Sequence, residues 1–378
     1  MRIRENSNGR PINVLLILAD QHRSDCLGAY GNKDVYTPNI DSLAHDGMLF
    51  ENCFCTSPLC TPSRYSMLTS LYAHQHRGWS NYATLSSGFS TFARALRKKG
   101  YSTKAVGKMH FAPTYLDVGF DELVLAEQNG PGRYEDDYHR YLKRKGLVDA
   151  IDLMDQVEEY RADAPAHYWE SFGALESNLS DEDYSTTWIG EQAISAIEKW
   201  GETGNLLMVG FIKPHHPYDA PAEWNQMYDP DDLTVLPGWI ESCLEQDLRK
   251  HPGTFPHTEL TISKLRKVMA YYYASITQID FHVGRMIKML KEKNMYDNTM
   301  IIYTSDHGEY LGFHHLLVKK NYMYDPLVKI PLIIKYPDQQ LAGTRSEALV
   351  TNLDIAPTIL HQAGCPSDEL MQGKDLLT

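Results

Sequence analysis

The sequence predicts an α/β protein with a mostly parallel central sheet flanked by helices on both faces. Three observations carry that prediction: continuous apolar runs of strand length, longer stretches with apolar residues at helical spacing between them, and ionisable residues directly after four of the runs. The runs are 13–19 (NVLLILA), 205–212 (NLLMVGFI), 299–304 (TMIIYT) and 330–335 (IPLIIK), with 102–107 (STKAVG) a weaker example. Runs that are apolar throughout, rather than at alternate positions, suit strands covered on both faces. The covering helices follow from period. In 90–99, Phe92 and Leu96 fall one turn apart before a Gly100 stop. In 184–200, Trp188, Ile189, Ala193, Ile194 and Ile197 share a face. The longest pattern, 261–293, sets Leu265, Met269, Tyr272, Ile276, Ile279, Val283, Ile287 and Leu290 at spacings of three and four. Strand and helix in alternation imply parallel crossovers.

A chain of 378 residues makes two domains or one large α/β domain. Two polar, aromatic-rich stretches, 127–183 and 222–260, interrupt the alternation and read as excursions forming walls of a pocket. Their Tyr134, Tyr138, Tyr168, Trp169 and Trp224 suit either stacking on a sugar or ordinary packing. With 43% hydrophobic and 22% charged residues the composition is globular and excludes a disordered chain. The 36 Lys+Arg against 49 Asp+Glu leave a net charge of −13. That excludes a general nucleic-acid binder, which needs clustered cations, but leaves room for one small anion in a locally basic pocket. No apolar run is long enough to span a bilayer, so no membrane association is expected. The polar first ten residues lack the apolar segment of a signal peptide, which predicts a cytoplasmic protein with six reduced cysteines. Cys53, Cys55 and Cys60 are close in sequence but lack the paired spacing of a cysteine zinc site.

Open α/β sheets bind ligands beyond the carboxyl ends of their strands. Those ends carry Asp20-Gln21-His22, Lys108-Met109-His110, Lys213-Pro214-His215-His216 and Asp306-His307-Gly308-Glu309. One such end is ordinarily a cap or a turn; four on a common edge point to a site. Asp20, Gln21, Asp306 and His307 offer a mostly oxygen donor set to a hard divalent cation. Lys108, His110, His215 and the later Lys319 form the opposite set, cationic or proton-transferring groups suited to an anionic substrate. His216, His314 and His315 suit hydrogen-bonded structural roles. Cys60 stands where Pro62 and Ser63 open a helix, with Arg64 one turn on, a setting that lowers a thiol's pKa.

Here the sequence resembles a known family. Cys60-Thr61-Pro62-Ser63-Arg64 matches the C-x-P-S-R signature of cysteine-type sulfatases in the alkaline-phosphatase-like superfamily. The match continues in order through Asp20-Gln21, 37–43 (TPNIDSL), 107–110 (GKMH), 213–215 (KPH), 305–308 (SDHG), 311–314 (LGFH) with Lys319, 331–334, 352–358 (NLDIAPT) and Gln372-Gly373. The resemblance implies one alkaline-phosphatase-like catalytic domain over 1–378, with its usual C-terminal subdomain short or missing. It implies that a separate formylglycine-generating enzyme oxidises Cys60 to Cα-formylglycine. One hydroxyl of the aldehyde hydrate would attack sulfur, and deprotonation of the other would expel sulfate. By the same resemblance Asp20, Gln21, Asp306 and His307 hold a divalent metal, usually Ca2+, with Mg2+ or Mn2+ as alternatives. Arg64 orients the hydrate, Lys108 and Lys319 neutralise the sulfate, His110 removes a proton from the nucleophile, and His215 protonates the leaving oxygen. Lys213 resembles a substrate-binding lysine of enzymes acting on acidic sugars, set against a plain surface lysine. Gln21 and His307 stand where many members have Asp and Asn, as in a branch that includes choline sulfatases and phosphonate monoester hydrolases. The implied activity is therefore hydrolysis of an alcohol or sugar sulfate, with phosphonate monoesters or phosphodiesters as the alternative, and a silent sugar-binding homologue as the non-enzymatic one. Oligomeric state is left open.

Overall fold

The computed structural model describes residues 4–250, 254–319 and 322–377, with the backbone alone for 248–250. Among the described residues eleven strands form in chain order: β1 (Asn13–Asp20), β2 (Met48–Phe54), β3 (Ser102–Gly107), β4 (Glu122–Leu125), β5 (Ala174–Glu176), β6 (Asn205–Pro214), β7 (Tyr218–Ala220), β8 (Thr299–Ser305), β9 (Lys329–Ile330), β10 (Leu332–Lys335) and β11 (Thr344–Thr351). The main sheet runs β11-β2-β10-β8-β1-β6-β3-β4, with β9 beside β2; β5 and β7 pair separately. Its centre is parallel, as the buried apolar runs require: β1 lies between β6 and β8, and β3 between β6 and β4. Within the main row the exception is β10, antiparallel to both β2 and β8.

Side-chain alternation along β1 divides the core. Leu15, Ile17 and Ala19 face one layer with the Pro38–His45, Ser185–Glu198 and Ile262–Glu292 helices. Val14, Leu16 and Leu18 face the other with the Cys60–Thr69, Phe92–Lys99 and Ile355–Gln362 helices. Both faces of the sheet are thus covered by helices, which explains why β1 is buried at every position.

Three main-sheet strands had no continuous apolar run to announce them. β11 is an edge strand, mostly exposed, and carries polar residues accordingly. β4 is a four-residue strand at the opposite edge, and β2 breaks its apolar sequence with half-exposed Glu51 and Asn52. The 330–335 run is split by Pro331, which has no N–H to give a ladder: β9 pairs with β2 before it, and β10 inserts between β2 and β8 after it. Among the described residues no helix is long and apolar enough to cross a membrane.

Register sets up the site. Ala19 is level with Ser305 on β8 and Phe211 on β6, while Gly107 on β3 is level with Gly210 on β6. The chain segments leaving β8, β1, β6 and β3 therefore emerge side by side. The β3–β6 contact is unusually close. Lys108 N donates to Gly210 O at 2.7 Å, and Gly107 has φ +87° with room for no side chain, since a Cβ there would lie 2.1 Å from Gly210 O. Gly107→Ala should cost about 1–3 kcal/mol in urea unfolding, because it adds left-handed strain to a backbone clash. An unchanged midpoint would show that β3 and β6 do not need this contact.

Candidate active site

The first residue of the Cys60–Thr69 helix meets the strand ends. This helix is buried along its whole length, with Pro62 in its first turn and Ser70 in the left-handed conformation closing it. Its start delivers Cys60, and Arg64 lies one turn further along the same face. Arg64 is buried and splits its guanidinium between two strands: Nε donates to Asp306 Oδ2 at 2.9 Å and Nη2 to Asp20 Oδ2 at 3.1 Å, while Nη1 reaches Lys108 O. Lys108 Nζ adds a second cation at 2.8 Å from Asp20 Oδ2. Each carboxylate is thereby held by one oxygen and presents the other. Burial and the Cys60 charge work to raise the Asp20 carboxyl, but Lys108, His215 and Lys319 prevail and hold it below the usual carboxylate range.

The presented atoms converge. One donor atom from each of Asp20, Asp306, His307 and Cys60 lies within 4.8 Å of the other three, and all four residues are buried. His307 Nε2 is 3.3 Å from Cys60 Sγ and 3.8 Å from each Oδ1. Its Nδ1 donates to Gly308 O at 3.0 Å, which turns Nε2 toward the cluster, the orientation of a metal-ligating imidazole. Gln21, at φ +63°, has its carbonyl held by Tyr272 OH at 2.7 Å and its side-chain NH2 donating to Glu309. Its Oε1 accepts from Lys319 Nζ at 3.0 Å. Two carboxylates, an amide oxygen and an imidazole fit a divalent cation, and among the described residues the two Oδ1 atoms meet backbone amides, Cys60 and His307.

The anion-facing groups ring Cys60. Lys319 Nζ lies 3.1 Å from Sγ and 2.8 Å from His215 Nε2. His215 Nδ1 donates to His216 O at 2.7 Å, so its Nε2 accepts from Lys319. Burial, then Lys319 and Lys108, push His215 well below the ordinary imidazole range. His110, at φ +56°, lies beside the Cys60 thiol and lowers its pKa, and its Nδ1 is buried without a hydrogen-bond partner among the described residues. Burial raises the Cys60 thiol, yet Lys319, His307, Lys108 and His110 bring it well below the ordinary value. Cys26, Cys53 and Cys55 go the other way, pushed up by burial. One cysteine of the chain's six is thus set apart by its surroundings.

A profile of the family described as Sulfatase matches residues 12–365. The chain belongs to the sulfatase family. It is 30% identical to the arylsulfatase of Clostridium perfringens (strain 13 / Type A), over 97% of this chain and 78% of that one. It is 27% identical to the N-acetylglucosamine-6-O-sulfatase of Bacteroides thetaiotaomicron, over 96% and 70%. Among solved structures it superposes on the phosphonate monoester hydrolase of Agrobacterium radiobacter with a TM-score of 0.77 and 26% identity, covering 97% of this chain and 76% of that one. The alkaline-phosphatase-like α/β fold and the character of the protein as a sulfatase enzyme follow.

Ten of the eleven residues singled out in sequence lie in or against the cluster of this sulfatase. Lys213 does not. It is 2% exposed, and its Nζ is spent on Asp219 and on Pro217 O at 2.8 Å, so it is neither a surface lysine nor directed at substrate. Arg64 is in the cluster, but its donors go to the two carboxylates and a carbonyl, which makes it a clamp on the metal-facing groups. His216, His314 and His315 are held by Asp155, Asp247 and Ile240 O, as structural histidines are. Tyr138 and Tyr168 are buried in the core, whereas Tyr134 is 67% exposed.

Sequence reasoning passed over Glu127 and Gln128. Glu127 Oε1 accepts from the backbone N–H groups of Met109 and His110, at 3.0 and 2.9 Å. Gln128 Oε1 accepts from Lys108 Nζ at 3.0 Å, and its Nε2 donates to Asp152 Oδ1 and His216 O, both at 2.8 Å. Together they hold the Lys108–His110 segment from behind. An isolated Glu-Gln pair in a polar stretch carries no signal for this; Glu309, by contrast, follows the Asp306-His307-Gly308 strand end directly.

Lys213→Met leaves Asp219 buried without its cation and should destabilise the protein by about 3–5 kcal/mol. The KM of the folded fraction for an ester substrate should stay within about twofold. A raised KM at unchanged stability would instead make Lys213 a substrate contact.

Proposed function

We propose that this sulfatase hydrolyses the sulfate monoester of an alcohol or a sugar, using a nucleophile made from Cys60 by oxidation to Cα-formylglycine. The carrying observation is the placement of Cys60 Sγ: it sits at a helix N-terminus, 3.3 Å from His307 Nε2 and 3.1 Å from Lys319 Nζ. No solvated surface thiol has that company, and any oxygen built at position 60 inherits it. A divalent cation at Asp20, Gln21, Asp306 and His307, Ca2+ by family likeness, supplies Lewis-acid polarisation of the ester oxygens and favours the ionised nucleophile. The aldehyde hydrate supplies the attacking hydroxyl and a second one whose deprotonation releases sulfate.

The chain's own residues supply the rest. Lys108 and Lys319 carry fixed positive charge to the two sides of position 60, where the sulfuryl oxygens gather charge in the transition state. His110 is placed to take the nucleophile's proton. Protonation of the leaving oxygen falls to His215, whose Nε2 lies 2.8 Å from Lys319 Nζ and whose Nδ1 is fixed by His216 O. Burial of Asp20, Lys108, His110, His215, Asp306 and His307 excludes bulk water around them, which strengthens each of these interactions.

A second reading has its own support. Gln21 and His307 match the branch that includes phosphonate monoester hydrolases, and one of these is a structural neighbour. A phosphonate monoester or phosphodiester is a monoanion like a sulfate ester, so the same two lysines and dication serve either.

Three measurements test these readings, and the last divides them. Mass spectrometry of the peptide spanning Cys60, from protein made in its native host, should find an aldehyde in place of the thiol. Cys60→Ala should lower kcat by at least about 10⁴-fold with the fold intact. An unmodified thiol in fully active native protein would end the formylglycine mechanism. Paired kcat/KM values on an aryl sulfate and an aryl phosphonate monoester should favour the sulfate; a preference for the phosphonate selects the second reading.

A further inference from the structure

The sulfur of Cys60 is itself one of the four donors that converge on the cation site. Its Sγ is 3.3 Å from His307 Nε2 and 3.8 Å from Asp20 Oδ1, and His307 Nε2 is 3.8 Å from the Oδ1 atoms of Asp20 and Asp306. Four donors about 2.0–2.3 Å from a tetrahedral Zn2+ lie about 3.3–3.7 Å from each other. Four of the six edges of this cluster, at 3.3 to 3.8 Å, approach that figure, with one sulfur, one nitrogen and two carboxylate oxygens as donors. The donor set is not one that Ca2+ prefers, since calcium takes six to eight oxygens and has no use for a thiolate.

The surroundings complete a thiophilic site. His307 is held through Nδ1 by Gly308 O, and each aspartate is held through Oδ2 by Arg64, so all three ligands are oriented from behind. A thiolate adds a third anion to the two carboxylates, which face the cations Arg64, Lys108 and Lys319. Among the described residues this is the one cluster of His, Cys, Asp and Glu with convergent donor atoms. We propose that the chain with its Cys60 thiol intact is a Zn2+-class site, ligated by Cys60 Sγ, His307 Nε2, Asp20 Oδ1 and Asp306 Oδ1. Replacing that sulfur by oxygen then turns the same pocket toward a hard cation. The second statement rests on the oxidation of Cys60 put forward above; the first does not. The thiol-state site has all four tetrahedral positions filled by protein, so a cation bound there has no position open for substrate.

The test uses the full chain with its thiol verified by peptide mass, stripped of metal and titrated with Co2+. One Co2+ per chain should produce the near-ultraviolet sulfur-to-cobalt charge-transfer band together with the strong visible bands of tetrahedral cobalt. Zn2+ should erase both stoichiometrically, and an excess of Ca2+ should not. Cys60→Ser should show no charge-transfer band and bind Zn2+ at least about tenfold more weakly. Absence of the band in the wild-type thiol protein, or equal Zn2+ affinity in a Cys60→Ser chain with native circular dichroism, would overturn the proposal. Because the cobalt spectrum reads the thiol protein directly, it stands or falls independently of whether native protein carries the aldehyde. Protein carrying the aldehyde should lack the band; its presence there would refute the sulfur-for-oxygen switch alone.

Discussion

Everything at the centre of this protein depends on how Arg64 divides its guanidinium between Asp20 and Asp306. Two carboxylates buried at the ends of adjacent strands would repel and shed their charge without compensation. The Arg64 fork takes one oxygen from each and leaves the other two facing a common point. Because Arg64 lies one turn after Cys60, the same contact fixes where the helix starts and so where Cys60 sits. The position of Cys60 and the direction of the two carboxylates are thus a single constraint, imposed by four residues from two strand ends and one helix.

The parallel sheet makes that constraint cheap. β8, β1, β6 and β3 run side by side in the same direction with their ends level, so Asp306, Asp20, His215 and Lys108 need no long loops to meet. The charge contrast follows from the same layout. A chain with a net charge of −13 concentrates Arg64, Lys108 and Lys319 at one sheet edge, where their field acts on a small anion. Acidity elsewhere on the surface leaves this interior field intact.

Much of the site was legible in sequence because strand ends are legible. An apolar run that stops at Asp20, Lys108 or Asp306 marks both the strand and the point where it delivers a functional group. Cys60 and Arg64 were readable from their spacing on a helix opening. What stayed hidden has no local pattern. β11 and β4 are edge strands with little apolar sequence, and Gln128 acts through two hydrogen-bonding ends of one amide. Lys213 misled because a lysine after a strand looks the same whether its ammonium turns to a pocket or, as here, to Asp219. The excursion at 127–183 also proved partly structural: Glu127, Gln128, Asp152 and Asp155 stand behind Lys108 and His216 rather than in front of them.

The dependence on Arg64 can be measured without any substrate. Calorimetric titration of Ca2+ into a Cys60→Ser chain, with Arg64 intact and with Arg64→Lys, compares a fork with a point charge at a position that does not itself ligate metal, with oxygen in place of the sulfur. If the fork sets the direction of Asp20 Oδ1 and Asp306 Oδ1, the lysine variant should bind Ca2+ at least about tenfold more weakly while keeping its native circular dichroism. Equal affinity in a folded Arg64→Lys chain would contradict it, and would mean that the two strand ends alone hold the carboxylates in place.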